Sequence, residues 1–290
     1  MAYGRAFVIG IVLNTVFILA EVAAGLIGNS TALLADAGHN FGDVIGLVIA
    51  AIAAWLSMRP PTERYTYGLG STSILAAQIN AALLLVAVGA IVVEAIDRFY
   101  NPQPVATTVV MVVAAIGILI NGATAALFAS GRHGDLNIKG AFLHMVADAA
   151  VSAGVVVGAA LIAVTGWMWI DPLVSLIIAV IIVWSTWGLM RDSMKMSLGA
   201  VPSNVIPADV RAYLLALPGV ASIHDLHVWS LSTTQTALTC HLVMPQGHPG
   251  DPFLRDVAHE LETRFAISHT TVQIECSEDL ACSLAPDHVI

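Results

Sequence analysis

Apolar residues fill the first two thirds of the chain in six runs, at residues 6–27, 32–57, 73–96, 107–130, 138–165 and 169–189. Each is long enough for the roughly 20 residues that a helix needs to cross a hydrocarbon core. Polar breaks punctuate them. Gly25, Gly28 and Asn29 close the first run and predict an antiparallel hairpin with the second. Arg59-Pro60-Pro61 stops the second. Residues 131–139 form a polar loop whose His133 reads as solvated. Trp167 and Trp169 mark a membrane interface. Asp171-Pro172 reads as the N-cap and first helical residue of the sixth run. After Leu198 the pattern changes. Residues 201–204 are a linker, 207–217 and 252–265 read as helices, and 220–230, 236–244 and 270–276 read as strands. The prediction is an all-α bundle of six transmembrane helices (1–200) followed by a small αββαβ domain (201–290) of the α+β, ferredoxin-like class with helices on one face of a sheet. Residues 277–290 carry no periodicity.

Charge orients this architecture. Arg5, Arg59, Arg64, Arg132, Lys139, Arg191 and Lys195 would lie on one side of the membrane and only Arg98 on the other. Basic loops stay in the cytoplasm, so both termini are expected there, in a multi-pass protein of the cell (inner) membrane. The first run is too long for a secretory h-region, so it is expected to stay as a helix. The net charge of −9 comes mainly from the C-terminal part, which also holds seven of the ten histidines. An acidic, His-rich surface suits cations rather than nucleic acid. Cys240, Cys276 and Cys282 all fall there, where reduced thiols favour metal ligation or packing over a disulfide.

The second run carries Asp36, His39 and Asp43, at i, i+3 and i+7, on one helical face. Ionisable groups at that depth are costly against lipid and point to a functional site inside the bundle. The fifth run repeats the His-x-x-x-Asp spacing at His144 and Asp148. Two such pairs facing each other offer two imidazoles and two carboxylates, a set that suits tetrahedral Zn²⁺; the lack of thiolates argues against Cu(I), and imidazoles argue against Mg²⁺ or Ca²⁺. Co²⁺, Ni²⁺ and Fe²⁺ fit the same donors. A proton relay and a structural hydrogen-bond network are the other readings of the same residues. Because ligands lose protons to bind metal, such a site also offers a route to proton exchange. Asn14 and Glu21, seven apart on the first helix, suit interhelical hydrogen bonding, or a vestibule or proton path.

Asn14, Glu21, the stretch from Ser30 to Asp43 (STALLADAGHNFGD), His144 to Asp148, Asp171-Pro172 and the stretch from Ile223 to Ser230 (IHDLHVWS) together resemble the cation diffusion facilitator family of metal/proton antiporters. The resemblance spans nearly the whole chain. It implies six helices, a metallochaperone-like cytoplasmic domain, a homodimer in the lipid bilayer, and exchange of cytoplasmic Zn²⁺ for protons at His39, Asp43, His144 and Asp148. Histidine at position 39 implies preference for Zn²⁺ over Cd²⁺. Two departures stand out. The loop at 62–70 has no histidine, so a loop metal site found in some members is not expected. Ser71 and Gly199 replace the basic residue and Asp that interlock the dimer in others.

The C-terminal part resembles the family's regulatory metal domain, with His224, His241 and Glu275 as ligands and Cys276 and Cys282 as additions. Strand alternation puts His224 and His227 on opposite faces, which makes His227 structural. Zinc is thus expected as cargo and as a regulator, tightening the dimer and biasing the membrane helices. Transport of Co²⁺, Ni²⁺, Fe²⁺, Mn²⁺ or Cd²⁺, and a membrane-anchored metal sensor, are the alternatives. No nucleophile–base pair or cofactor loop suggests an enzyme.

Overall fold

The computed structural model describes residues 2–128, 136–276 and 282, with side chains described apart from those of 2–14, 47, 50, 54, 127–128, 136–141 and 143–144. The expectations for Asn14, His133 and the rest of the tail beyond 276 therefore lie outside the described residues. Six long helices come first: α1 (Ala2–Gly28), α2 (Thr31–Ser57), α3 (Thr72–Tyr100), α4 (Thr107–Phe128), α5 (Leu136–Thr165) and α6 (Ile170–Ser197). Among the described residues five of them are long and apolar enough to cross a membrane, and the described part of α1, Thr15–Gly28, is a shorter apolar helix. The chain divides into two compact units, one of residues 1–49 and 79–189, the other of 50–78 and 190–290.

In the first unit a single buried cluster draws on all six helices, among them Ala24, Leu33, Val88, Val110, Val155 and Ile182. Close approach of α2 and α3 depends on glycine. A Cβ on Gly42 would lie 2.0 Å from Leu84 Cδ2, and one on Gly46 would lie 2.6 Å from Asn80 Nδ2. Small residues spaced four apart let membrane helices pack at backbone contact.

The turn between α1 and α2 is held by charge at both helix ends. Asn29 adopts a left-handed conformation (φ 52°), and Arg98 on α3 donates to its backbone carbonyl and to its Oδ1. A guanidinium there complements the negative C-terminal end of α1. Arg98, the exception to the charge asymmetry, is thus a structural cap. The start of α2 receives the opposite charge. Ser30 Oγ, Thr31 N (2.7 Å), Thr31 Oγ1 (2.6 Å) and Ala32 N (3.4 Å) all donate to the Asp171 carboxylate. This corrects the expectation that Asp171 caps its own helix. α6 already begins at Ile170, and Asp171 is buried at the N-terminus of α2. Those first-turn N–H groups are shut away from water, so a buried carboxylate from a neighbouring helix satisfies them.

The second unit contains α7 (Pro207–Leu215), β1 (Ser222–Ser230), β2 (Thr236–Val243), α8 (Asp251–Phe265) and β3 (His269–Glu275). The sheet order is β1-β2-β3, with β1 antiparallel and β3 parallel to β2. Val210, Leu214, Val257 and Leu261 from the helices pack with Ile223, Val228, Leu238 and Leu242 from the strands. Ile223 and Val228 are five apart, an odd number that regular alternation would send to opposite faces. A bulge between His224 and His227 resets the phase: His224 pairs with His241 and His227 with Thr239. The link between α2 and α3 docks on the turn after β1. Ser71 Oγ donates to the Leu231 carbonyl (3.1 Å) and Thr233 N to Ser73 Oγ (3.1 Å). Tyr67 stands edge-on to His269, with ring centroids 5.3 Å apart. Ser71 thus makes a backbone contact within this unit.

Candidate functional site

Two clusters gather side chains of metal-ligand chemistry. In the first unit, α2 presents His39 and Asp43 one turn apart, and α5 brings Asp148 alongside. His39 Nε2 is 3.7 Å from Asp43 Oδ2 and 3.5 Å from Asp148 Oδ1. Zn–N and Zn–O bonds of about 2.0–2.1 Å set ligand–ligand edges of about 3.3 Å in a tetrahedron, so these separations are within a few tenths of an ångström of a coordination shell. Asp148 is buried, and His39 and Asp43 are partly open. His144 lies one turn before Asp148 on α5, and its side chain is outside the described residues.

Around this cluster is a layer of buried polar groups. Ser152 Oγ donates to Asp36 Oδ2 (2.8 Å), and Asn40 Nδ2 donates to Glu21 Oε2 (3.1 Å). Asp36 shares the helical face of His39 and Asp43, as the spacing predicts, yet it stands outside the group of three whose ligand atoms converge.

In the second unit, His224 from β1, His241 from β2, Glu275 from β3 and Cys282 from the following segment have ligand atoms all within 4.8 Å of one another. Glu275 Oε1 is 2.9 Å from His241 Nδ1 and 3.4 Å from His224 Nε2. Cys282 Sγ is 3.7 Å from His241 Nδ1, against about 3.6 Å for an S–N edge built from a Zn–S bond of about 2.3 Å. His224 Nε2 is buried without a hydrogen bond. An imidazole, an imidazole, a carboxylate and a thiol around one point fit a resident Zn²⁺ or similar ion. Cys276 is exposed and outside the group. Burial opposes ionisation of Glu275, but hydrogen bonds from Cys282 and His241 and the charge of His224 outweigh it and hold the carboxyl below its ordinary value.

Regular alternation placed His224 and His227 on opposite faces. The bulge overturns that, because both now pair with β2 residues two apart on one face. His227 Nε2 hydrogen-bonds Asp225 Oδ1 (2.8 Å), and Asp225 Oδ2 is 3.5 Å from His241 Nε2. Asp225 is therefore an orienting carboxylate that sequence reasoning missed; such partners fix the tautomer and direction of a ligating imidazole. A signal existed. Aspartate is disfavoured within strands, and Asp225 (φ 51°) occupies the left-handed conformation of the bulge.

Ionisable side chains buried within apolar helices mark an ion pathway, the class of a membrane cation carrier. The family is explicit in the sequence. The model of the cation efflux transmembrane domain matches residues 7–196, and that of the cation efflux protein cytoplasmic domain matches 202–277. The chain belongs to the cation efflux, or cation diffusion facilitator, family: a multi-pass membrane transporter of metal cations, not an enzyme, with a transmembrane helical region and a C-terminal cytoplasmic domain. It is 36% identical over 276 residues to the cadmium, cobalt and zinc/H(+)-K(+) antiporter of Bacillus subtilis (strain 168), covering 93% of this chain and 88% of the relative. Identity is 36% over 272 residues to the metal cation efflux system protein CzcD of Cupriavidus metallidurans, with 93% and 86% covered. It is 35% over 261 residues to the zinc transporter ZitB of Escherichia coli (strain K12), with 89% and 83% covered.

Proposed function

We propose that this protein exports Zn²⁺ from the cytoplasm in exchange for protons, as a homodimer in the cell (inner) membrane with both termini in the cytoplasm. The convergence of His39, Asp43 and Asp148 at 3.5–3.7 Å inside the helical unit carries the reading. His144 would complete a tetrahedral His₂Asp₂ set from α2 and α5. A neutral imidazole and two or more carboxylates hold a dication by charge and geometry, and protonation of the same groups releases it. The names of the relatives, a zinc transporter and a zinc/H(+)-K(+) antiporter among them, support the cargo and the counter-ion. The C-terminal cluster of His224, His241, Glu275 and Cys282 would hold a regulatory metal.

The test is metal uptake into inverted membrane vesicles, ion by ion, with and without an imposed pH gradient. The expected result is Zn²⁺ uptake that collapses with the gradient. Equal or faster uptake of Co²⁺ or Cd²⁺, which the Bacillus subtilis relative's name also includes, would move the cargo to those ions. His39→Asp is expected to raise Cd²⁺ uptake relative to Zn²⁺, because it makes the site more anionic; an unchanged ratio places selectivity elsewhere.

A further inference from the structure

Two carboxyl side chains next to the transport cluster have no role as ligands. Glu21 on α1 and Asp36 on α2 are each 0% exposed. Each has one oxygen satisfied, Glu21 Oε2 by Asn40 and Asp36 Oδ2 by Ser152. The other oxygens, Glu21 Oε1 and Asp36 Oδ1, are buried and have no hydrogen-bond partner. Asn40, which holds Glu21, lies one turn beyond Asp36 on α2, and this brings the Glu21 carboxyl to the stretch of α2 that carries Asp36. Ionised carboxylates only accept, whereas a protonated carboxyl carries an O–H donor, so a proton on one of the two turns an unpartnered buried oxygen into a neutral hydroxyl. Among the described residues neither pairs with Lys or Arg. The ionisable groups facing the pair are His39 on α2 and Asp148 on α5; α4, packed along α1, has no ionisable residue. Two adjacent anions in that setting would bear a desolvation cost with no cation to offset it.

The donors come from the helices that carry the transport cluster. Asn40 follows His39 directly, and Ser152 is one turn beyond Asp148. Charge at the pair is thus sensed by the same stretches of α2 and α5 that would grip the metal. We propose that Glu21 and Asp36 form a proton-binding site separate from the metal ligands, which holds one proton in the metal-free protein and releases it when Zn²⁺ enters. It rests on the exchange reading above. The chemistry is proton transfer alone: one carboxyl O–H bond breaks, its electron pair stays on the carboxylate, and the proton leaves to water. A dication at His39, Asp43 and Asp148 lowers the cost of the second negative charge, and by linkage the protonated pair weakens metal binding by the same factor.

The purified full-length protein tests this by calorimetry in buffers of different ionisation enthalpy, which reads protons released per Zn²⁺ bound. Glu21→Gln keeps the shape and supplies a permanent donor to Asp36. It is expected to release about one proton fewer than the parent, since its side chain has none to give; release from the C-terminal cluster is common to both and cancels. Equal release in parent and variant overturns the proposal. Should that variant fail to fold, Asp36→Asn is read the same way. Infrared difference spectra of the unmutated protein provide an independent reading. The carbonyl stretch of a protonated carboxylic acid should disappear as Zn²⁺ is added, and its absence from the metal-free protein refutes the site. A parent that binds Zn²⁺ with no proton release removes the exchange reading itself, whereas a parent that releases protons beside a variant that releases as many removes this proposal alone.

Discussion

His39 and Asp43 reach their meeting point from one helix, a single turn apart, and Asp148 joins them from another. His224, His241 and Glu275 each come from a different strand, and Cys282 from the segment beyond. The donors differ as well. The described membrane cluster offers one nitrogen and carboxylate oxygens; the domain cluster adds a sulfur. Nitrogen and carboxylate donors alone suit exchange of a bound ion, and a set that adds thiolate suits residence. One chain thus carries the two kinds of arrangement that cargo and a resident regulator would need. The helical cluster is assembled by local spacing, the sheet cluster by long-range register.

The sharpest way to break this contrast is to remove a ligand from one cluster and read both. Asp148→Asn is expected to cut Zn²⁺ flux in vesicles by at least about 100-fold, because the remaining donors cannot complete a tetrahedron around a divalent ion. Zinc binding at the domain cluster, measured on the same purified variant, should be unchanged. Persisting flux would mean that the cargo does not pass through the α2–α5 cluster.

Within the domain cluster the contrast is between a ligand and its orienting partner. In a protein already carrying Asp148→Asn, His224→Ala is expected to weaken zinc binding by more than about 100-fold, and Asp225→Asn by about 10–100-fold, the usual loss when a carboxylate behind a ligating histidine is removed. Equal losses in a competition titration would make Asp225 a ligand and rearrange the cluster around β1.

The same difference in assembly decides what the sequence could show. His-x-x-x-Asp on α2 and α5 is visible because helical spacing alone brings i and i+4 together, and lipid makes every buried charge conspicuous. The six apolar runs coincide with α1 to α6 to within four residues for the same reason, except that α6 continues eight residues past its run, to Ser197. His224, His241 and Glu275 are legible as a group through the family resemblance, not through local spacing. The bulge leaves no mark in the alternation of the residues, so regular alternation sends His227 to the wrong face and Ile223 away from the core it occupies. Alternation is a local rule, and a single inserted residue inverts it for everything upstream. Asp171 misled for a different reason. Its position next to Pro172 satisfies the local rules for an N-cap, and only packing reveals that α2 claims the carboxylate.

That tertiary cap supplies the next prediction, a test of how far the membrane cluster depends on support from another helix. Asp171→Ala strands the Thr31 N–H and its hydroxyl in a buried setting. Loss of a cap costs about 1 kcal/mol, and each stranded buried donor about 1–3 kcal/mol, so thermal unfolding in detergent should show a loss of about 3 kcal/mol. Asp171→Asn, which keeps an acceptor oxygen, should lie between it and the parent. If both variants melt like the parent, α2 is anchored by its glycine contacts with α3 instead.

The smallest expected effect concerns the three cysteines, which separate the faces of the domain sheet. Cys240 is on the core face of β2, adjacent in sequence to His241 on the ligand face. Burial, with a smaller contribution from the charge of Asp225, pushes its thiol up to about 12. Only the thiolate reacts with alkylating reagents, so Cys240 should stay unlabelled at pH 8 in the folded protein and label on denaturation. Its raised value stabilises the folded state in full below 9.0, the thiol's ordinary value, and the contribution is lost as pH rises toward about 12. Cys276 is exposed and should label with or without metal. Cys282 should label freely in chelator and be protected by Zn²⁺, because the ion would occupy its sulfur. Mass spectrometry of the peptides distinguishes the three positions. Protection of Cys276 together with Cys282 would place both thiols on the metal; protection of neither would leave the cluster with His224, His241 and Glu275, nitrogen and oxygen donors like those between α2 and α5.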